Sequence, residues 1–301
     1  MPPAIVPSVP APPMAHPVLK WAGGKRRLVE QYARHFPTRF NAYHEPFFGG
    51  GAVYFWLRGL GRLNARSCRL TDINPQLINF YQVLQSRSEE LFPHLREHQD
   101  RHDESHYYQV RAQRPEELDE VARAARLLYL NRTCFNGLYR ENSRGQFNVP
   151  MGRYKRPAIY QPEALSAASL ALRDATLVCA PYLDVEQQVE AGDLVYLDPP
   201  YHPLNPTSSF TAYTQHDFSE ADQVRLAELF HRLCDKGAKV LLSNSDAPLI
   251  RELYRGYQQV KIQAARAINS KADGRQKITE LLIVGGKRRS PRRSKATSPI
   301  P

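Results

Sequence analysis

An acid, two prolines and an aromatic ring stand together at Asp198-Pro-Pro-Tyr201, directly after the apolar run Leu194 to Leu197. Proline cannot continue a sheet ladder, so the run reads as a short buried strand that ends with a carboxylate at its carboxyl edge. Ligands bind at that edge in open α/β sheets. An ionised carboxylate only accepts hydrogen bonds, and the carbonyl of Pro199, fixed by the ring of Pro200, is a second acceptor beside it. Two adjacent acceptors suit an NH2 group, and Tyr201 offers a flat face to a planar base. The same four residues also make an ordinary turn after a strand, because Asp and Pro favour turns for steric reasons.

Elements that position such a group are readable on both sides of it. Val18-Leu-Lys-Trp-Ala-Gly-Gly-Lys25 leads into a helical pattern carrying Leu28, Val29 and Tyr32, and its glycines and ammonium can meet an anion, without the spacing of a P-loop. Residues 42–53 read as a strand, the glycine-rich turn Gly49-Gly-Gly51, and a helix carrying Val53, Phe55, Trp56 and Leu57. Glycines there let a ligand approach the backbone closely. Cys68 to Asp72 reads as a second strand ending in an acid suited to ribose hydroxyls, and Asn74-Pro75 opens a helix through Leu84. The turn and the acid together favour an adenosine-type ligand.

From Glu89 to about Arg173 strand signals fade. Val121 to Asn131 is periodic as a helix, and the stretch 132–156 alternates cations with Phe135, Tyr139, Phe147 and Tyr154 around the turn signals Asn136-Gly and Arg144-Gly. A loop or hairpin is expected there, presenting arginines to phosphates or guanine edges and aromatics to bases, or else an ordinary solvated face. The α/β rhythm then resumes with strands at Thr176–Cys179 and Val240 to Ser243 and a helix from Glu220 to Cys234. An antiparallel pair at Val260 to Ile268 and Thr279 to Gly285 closes it. The loop from Tyr201 to Phe218 follows the acid directly and reads as a lid.

The chain has 301 residues and a net charge of +11, which points to a polyanionic partner such as nucleic acid. Residues 287–295 hold six of the cations and no acid, and residues 121–160 hold eight against Glu141 alone. Four cysteines, at 68, 134, 179 and 234, are too widely spaced to suggest a zinc site or a disulfide framework, so reduced thiols in the cytoplasm are expected. No apolar run reaches membrane-spanning length, and the Pro- and Ala-rich start lacks the pattern of a signal peptide.

Five segments in this order resemble the bacterial DNA adenine methylases of the Dam type, the α-group, D12-class N6-adenine enzymes. They are Lys20-Trp-Ala-Gly-Gly-Lys25, Glu45-Pro-Phe-Phe-Gly-Gly-Gly51, Thr71-Asp-Ile-Asn74, the run Asn131 to Tyr154, and Asp198-Pro-Pro-Tyr201. The resemblance spans about residues 18 to 285. It implies an α/β fold: a Rossmann-like seven-stranded methyltransferase sheet (18–88 and 174–286) with an inserted, mainly helical DNA-recognition domain (89–173) and its hairpin at about 132–156. Residues 1–17 and 287–301 would be disordered tails.

It further implies S-adenosylmethionine as methyl donor, with no metal. Trp21, Lys25, Phe47, Gly49, Gly51, Asp72, Tyr182 and Asp198 would bind that donor, although Pro181 stands where a polar residue is expected. Asp198, Pro199, Pro200 and Tyr201 would carry the catalysis. Lys20, Phe135, Asn136, Leu138, Arg140, Pro150 and Tyr154 would contact double-stranded DNA at GATC. A monomer at the nucleoid, with a restriction endonuclease possible as a separate partner, completes the expectation. The alternatives are methylation of cytosine N4, of RNA or of a protein amide, and a catalytically inactive DNA-binding relative.

Overall fold

A computed structural model describes residues 15–21, 23–25, 28–63, 67–204, 218–264 and 278–286. The expected tails, apart from residues 15–17, lie outside the described residues, as do positions 205–217 of the expected lid and 265–277 of the closing pair and its connection. The described chain starts at Ala15, whose side chain is already buried.

In chain order the elements are α1 (Val29–Tyr32), β1 (Tyr43–Glu45), α2 (Ala52–Gly59), β2 (Cys68–Asp72), α3 (Pro75–Ser86), α4 (Ser88–Asp100), α5 (Glu104–Ala112), α6 (Glu120–Thr133) and α7 (Pro162–Leu172). There follow β3 (Thr176–Cys179), α8 (Val185–Gln188), β4 (Leu194–Leu197), α9 (Glu220–Asp235), β5 (Lys239–Ser245), α10 (Pro248–Leu253), β6 (Gln258–Ala264) and β7 (Ile278–Val284). The described residues gather into two compact units. Of the described residues, those within 15–25, 49–63 and 74–177 form one, and those within 28–48, 67–73 and 178–286 the other.

The expected seven-stranded sheet is present, in the order β3-β2-β1-β4-β5-β7-β6. Strands β2, β1, β4 and β5 run parallel, and β7 lies antiparallel between β5 and β6. The residues of β4 are all buried, which is why its sequence is continuously apolar rather than alternating. From β1 the strand order runs outward to β2 and β3 on one side, and from β4 to β5 on the other. The reversal falls between β1 and β4, so Glu45 and Asp198 stand at the carboxyl ends flanking the switch point.

Period two decides which side chains face α9 and α10. Val195 and Leu197 of β4, Val240 and Leu242 of β5, and Leu281 and Ile283 of β7 form one cluster with Leu226, Phe230 and Leu233 of α9 and Ile250 of α10. Each such side chain contributes about 1.5–3 kcal/mol when fully buried. A capping box between Ser219 and Asp222 starts α9, just after the last undescribed position of the preceding loop.

In the other unit α6 is central, packing against α3, α4 and α5. Side-chain caps start three of these helices. Asn74 Oδ1 accepts from Gln76 N at 2.9 Å ahead of Pro75, Asp103 Oδ1 accepts from His106 N at 2.7 Å, and Asp119 Oδ1 accepts from Val121 N at 2.9 Å. Beyond α6 the chain forms a narrow antiparallel loop, with bridges Cys134↔Met151 and Glu141↔Phe147 and a turn at Asn142 to Gly145.

Across α6 and this loop the structure departs from the sequence expectation in two respects. Phe147 does not face outward with the cations; it is buried among Tyr107, Val110 and Val149, where an aromatic on the inner side of a narrow loop must go. Three of the eight cations are likewise spent on the fold. Arg126 is buried and donates to the carbonyls of Val110 and Arg111, Arg132 donates to the carbonyl of Val18, and Arg123 donates to Asn79 Oδ1. Arg144, Arg153, Lys155 and Arg156 are the exposed ones.

Candidate active site

Asp198 follows β4 directly, and its Oδ1 accepts a 2.7 Å hydrogen bond from Ser243 Oγ. The parallel register explains the meeting: Leu197 pairs with Leu242, so the next residue on each strand is a neighbour of the other. Ser243 Oγ also lies 2.9 Å from the hydroxyl of the fully buried Tyr196. The carboxylate is therefore fixed in rotation at the sheet edge by a hydroxyl that is itself fixed from below.

The two prolines end the strand, and side chains replace its ladder. Gln223 Nε2 of α9 donates to the carbonyl of Pro200 at 2.9 Å, and Asn244 Nδ2 donates to Gln223 Oε1 at 3.0 Å. Asn244 Oδ1 accepts from His202 N at 3.1 Å, and Ser245 Oγ donates to the carbonyl of His202 at 2.6 Å. Gln223, Ser243 and Asn244 are completely buried. An unpaired polar group there costs about 1–3 kcal/mol, so their mutual bonds are what permits them to be there. Among the described residues none donates to the carbonyl of Pro199, whereas that of Pro200 is taken.

The hydroxyl of Tyr201 donates to Glu280 Oε2 of β7 at 2.8 Å. Burial, and after it the charge of Asp198, holds this phenol well above the usual range, so it stays protonated and remains a donor. Two residues beyond β1, the ring of Phe47 stacks on Tyr182 with centroids 5.1 Å apart, and Phe218 meets both at 6.0 and 5.8 Å. Asp72 ends β2, on the same carboxyl edge, and its carbonyl accepts from Ala180 N at 3.1 Å. Burial and then the Asp72 carboxylate raise the thiol pKa of Cys179. Phe47, Asp72, Tyr182 and the Asp198 motif thus all belong to the unit that holds β4.

Trp21, Lys25, Gly49 and Gly51 belong to the other unit. Gly49 and Gly51 have φ of +50° and +68°, and a Cβ on Gly49 would lie 2.8 Å from Trp21 Cδ1. The indole thus rests against a turn that only glycine can make. Lys25 is buried, with Nζ donating to the carbonyl of Gly23 at 2.7 Å.

The DNA-facing residues expected from sequence are collected in that unit too. Asn131, buried at the end of α6, clamps Lys20 from both sides: its Oδ1 accepts from Lys20 N at 2.8 Å and its Nδ2 donates to the Lys20 carbonyl at 2.7 Å. The Lys20 ammonium sits 4.3 Å from the centre of the Tyr154 ring, and Trp21 lies 5.5 Å from the ring of Tyr139. Phe135, Asn136, Pro150 and Tyr154 are exposed, and Leu138 and Arg140 are partly so. Asn136, next to Phe135, holds a positive φ of 56°, which asparagine tolerates better than most residues. Arg140 Nε donates to Asn148 Oδ1 at 2.7 Å, which fixes the guanidinium plane.

Sequence reasoning missed Gln223, Ser243, Asn244, Ser245, Glu280 and Asn148. A usable signal existed for four of them. Ser243-Asn244-Ser245 is a polar run that ends a buried strand, and such a run needs partners. Glu280 carries a comparable signal, an acid opening the apolar run Leu281 to Val284.

Fold and site together define a class: a mostly parallel sheet with one antiparallel strand and an Asp-Pro-Pro-Tyr motif at its switch point is that of a Rossmann-like methyltransferase. The family description "D12 class N6 adenine-specific DNA methyltransferase" matches residues 21–268, and the chain belongs to that family. It is 40% identical over 273 residues to the type II methyltransferase M1.LlaDCHI of Lactococcus lactis subsp. cremoris, covering 89% of this chain and 94% of that one. It is 41% identical over 285 residues to the type II methyltransferase M.MjaIII of Methanocaldococcus jannaschii, covering 89% and 98%. With the DNA adenine methylase of Serratia marcescens the identity is 39% over 269 residues, covering 88% and 97%. The protein is an adenine-specific DNA methyltransferase. Among the described residues, no helix is long and apolar enough to cross a membrane.

Proposed function

We propose that the enzyme transfers the methyl group of S-adenosylmethionine to N6 of adenine in duplex GATC sites. The observation that carries the chemistry is the Asp198 carboxylate, locked by Ser243 at 2.7 Å, beside the Pro199 carbonyl and the Tyr201 ring.

The residues present fit the donor. Carboxyl-edge Asp72 suits ribose hydroxyls, and the stacked Phe47 and Tyr182 rings suit adenine. In the unit that holds β4, Phe47, Asp72 and Tyr182 would hold it; Trp21, Lys25, Gly49 and Gly51 are assigned to the donor on their sequence motifs alone. When bound, S-adenosylmethionine supplies an electrophilic methyl on a sulfonium.

This chain's residues then act on the base. The target amine is paired inside the duplex, so the base must leave the stack before it can react. Tyr201 holds it by stacking. An adenine amine is a poor nucleophile because its lone pair is delocalised into the ring. Asp198 and the Pro199 carbonyl accept its two N–H groups, which localises that pair and stabilises the positive charge that develops on nitrogen. The N–C bond would form as the methyl–sulfur bond breaks with its electron pair left on sulfur as a neutral thioether, and the nitrogen then gives up one proton to bulk water.

Recognition is assigned to Lys20, Phe135, Asn136, Leu138, Arg140, Pro150 and Tyr154. Phe135 is half exposed at a loop tip, as a wedge into the duplex requires. Arg140, its plane fixed by Asn148, is suited to a bidentate contact with guanine. We assign the protein a monomeric state. The test is methyl transfer into duplexes in which each base pair of GATC is changed in turn. Transfer confined to the intact site supports the reading; equal transfer to a changed site removes GATC and leaves the chemistry.

A further inference from the structure

We propose that Glu280 of β7 is a positioning residue for methyl transfer: by holding the Tyr201 hydroxyl it sets the plane in which the target base stacks. This rests on Tyr201 being the stacking residue. The register between β5 and β7 places Glu280 opposite Ser245, at the same end of the sheet as Ser243 and the Asp198 motif. Its neighbours Leu281, Leu282 and Ile283 are buried in the sheet core. A carboxylate in that setting requires donors, and it has two phenols on one oxygen. Tyr201 donates at 2.8 Å and the fully buried Tyr32 of α1 at 3.4 Å.

The geometry gives the carboxylate a specific task. A tyrosine on a loop turns about χ1 and χ2; holding its distal oxygen, which lies on the χ2 axis, while the backbone is fixed settles χ1, and because a phenol O–H prefers the plane of its ring, the direction of its acceptor orients χ2. The backbone is fixed here by Gln223 at the Pro200 carbonyl and by Asn244 and Ser245 at His202. Glu280 therefore completes the restraint at the other end of the ring. Burial first, with the charges of Glu280 and Asp198 after it, keeps the Tyr32 phenol protonated, so it serves as a steady second donor that holds the carboxylate in turn.

The test uses the full chain, an ordinary GATC duplex for steady-state kinetics, and a second duplex with 2-aminopurine at the target adenine for emission. Glu280→Ala is expected to lower kcat about 10- to 100-fold, the cost of a misplaced reacting group. Its KM for S-adenosylmethionine should stay within about twofold, and the emission of the bound 2-aminopurine should shift because the base loses its stacking partner. Glu280→Gln, which keeps an acceptor oxygen, should recover most of the rate. Tyr201→Phe should mimic Glu280→Ala, and the double variant should lose no more than either, because both delete one bond. Unchanged kcat and emission in Glu280→Ala, or losses that add in the double variant, would overturn the inference. If Glu280→Ala fails to fold, Tyr201→Phe decides it, since it deletes the bond and keeps the ring; full activity there overturns it. Tyr201→Ala separates the two readings. No emission change in that variant removes the stacking role itself, whereas a change there and none in Glu280→Ala removes Glu280 alone.

Discussion

In the unit that carries the sheet, the residues Asp198, Pro200, Tyr201 and His202 are each gripped by a side chain from β5, β7 or α9. In the other unit, the loop from Cys134 to Gly152 is closed mainly by backbone bonds, such as Phe135 N to the Pro150 carbonyl at 2.9 Å and Gly152 N to the Thr133 carbonyl at 2.8 Å. Its tip residues Phe135 and Asn136 face solvent. The difference follows from the tasks. Methyl transfer tolerates errors of only about 0.5 Å, so the reactive segment is restrained from several buried elements. Reading a base sequence needs side chains that project from a stable frame, and backbone bonds supply that frame without dictating the tip residues.

This contrast can be broken or sharpened by substitution, beginning with the largest effect. Asp198→Ala should reduce kcat by about 10²–10³-fold on every DNA sequence, the loss seen when a preorganised charge-stabilising group is removed. A loss confined to some sequences would mean that Asp198 takes part in recognition. Single-turnover rates on a panel of duplexes give the answer.

Acid should weaken the helical frame behind the recognition loop. His98 of α4 is packed 3.0 Å from His106 and stacked on Tyr129, and burial, followed by the charge of His106, lowers its pKa to about 4. Glu97, His94 and Arg101 also act on it. Because the folded pKa lies below the unfolded one, the unfolded state binds the proton more readily. The contribution of His98 is complete above about pH 6.5 and is lost as pH falls toward 4, on the order of 3 kcal/mol in all. Urea midpoints between pH 7 and 4 should fall in the wild type and fall less in His98→Phe; parallel curves would exclude His98 as the source.

Removing the Asn131 clamp tests how much the frame matters to reading. Asn131→Ala leaves the partly buried Lys20 backbone groups without these bonds and should cost about 1 kcal/mol of stability. The same variant should blunt discrimination between GATC and altered sites while sparing the reaction at saturating DNA. Denaturant melts and site panels measure the two effects separately. Arg140→Ala should cost about 1–3 kcal/mol of discrimination at a single guanine position. Arg153→Ala, at an exposed cation, should do least: a uniform weakening and a salt slope lower by about 1.

Much of this was legible in the sequence where a local signal coincided with a topological one. Leu194 to Leu197 could be read as a strand because an apolar run is cut off by Asp-Pro-Pro, and Asn74-Pro75 as a helix start because a cap precedes a proline. Both stand in the structure at those residues. The partners of the motif were not legible, because Ser243 meets Asp198 only through the β4 to β5 register and Glu280 meets Tyr201 only through β7, which lies 79 residues away in sequence. Charge counting misled for a related reason. Arg126 and Arg132 look like surface cations in a basic stretch, yet each completes buried backbone hydrogen bonds.

The most direct test of the account is methyl transfer from labelled S-adenosylmethionine to matched duplexes with and without GATC, followed by nucleoside analysis, for wild type, Asp198→Ala and Arg140→Ala. N6-methyladenine is expected in the GATC duplex for the wild type, and in Asp198→Ala at a rate about 10²–10³-fold lower. For Arg140→Ala, N6-methyladenine is expected with a reduced preference for GATC. Product formation by Asp198→Ala at the wild-type rate, or an equal fall in product on both duplexes with unchanged site preference in Arg140→Ala, would contradict the division of labour between the two regions.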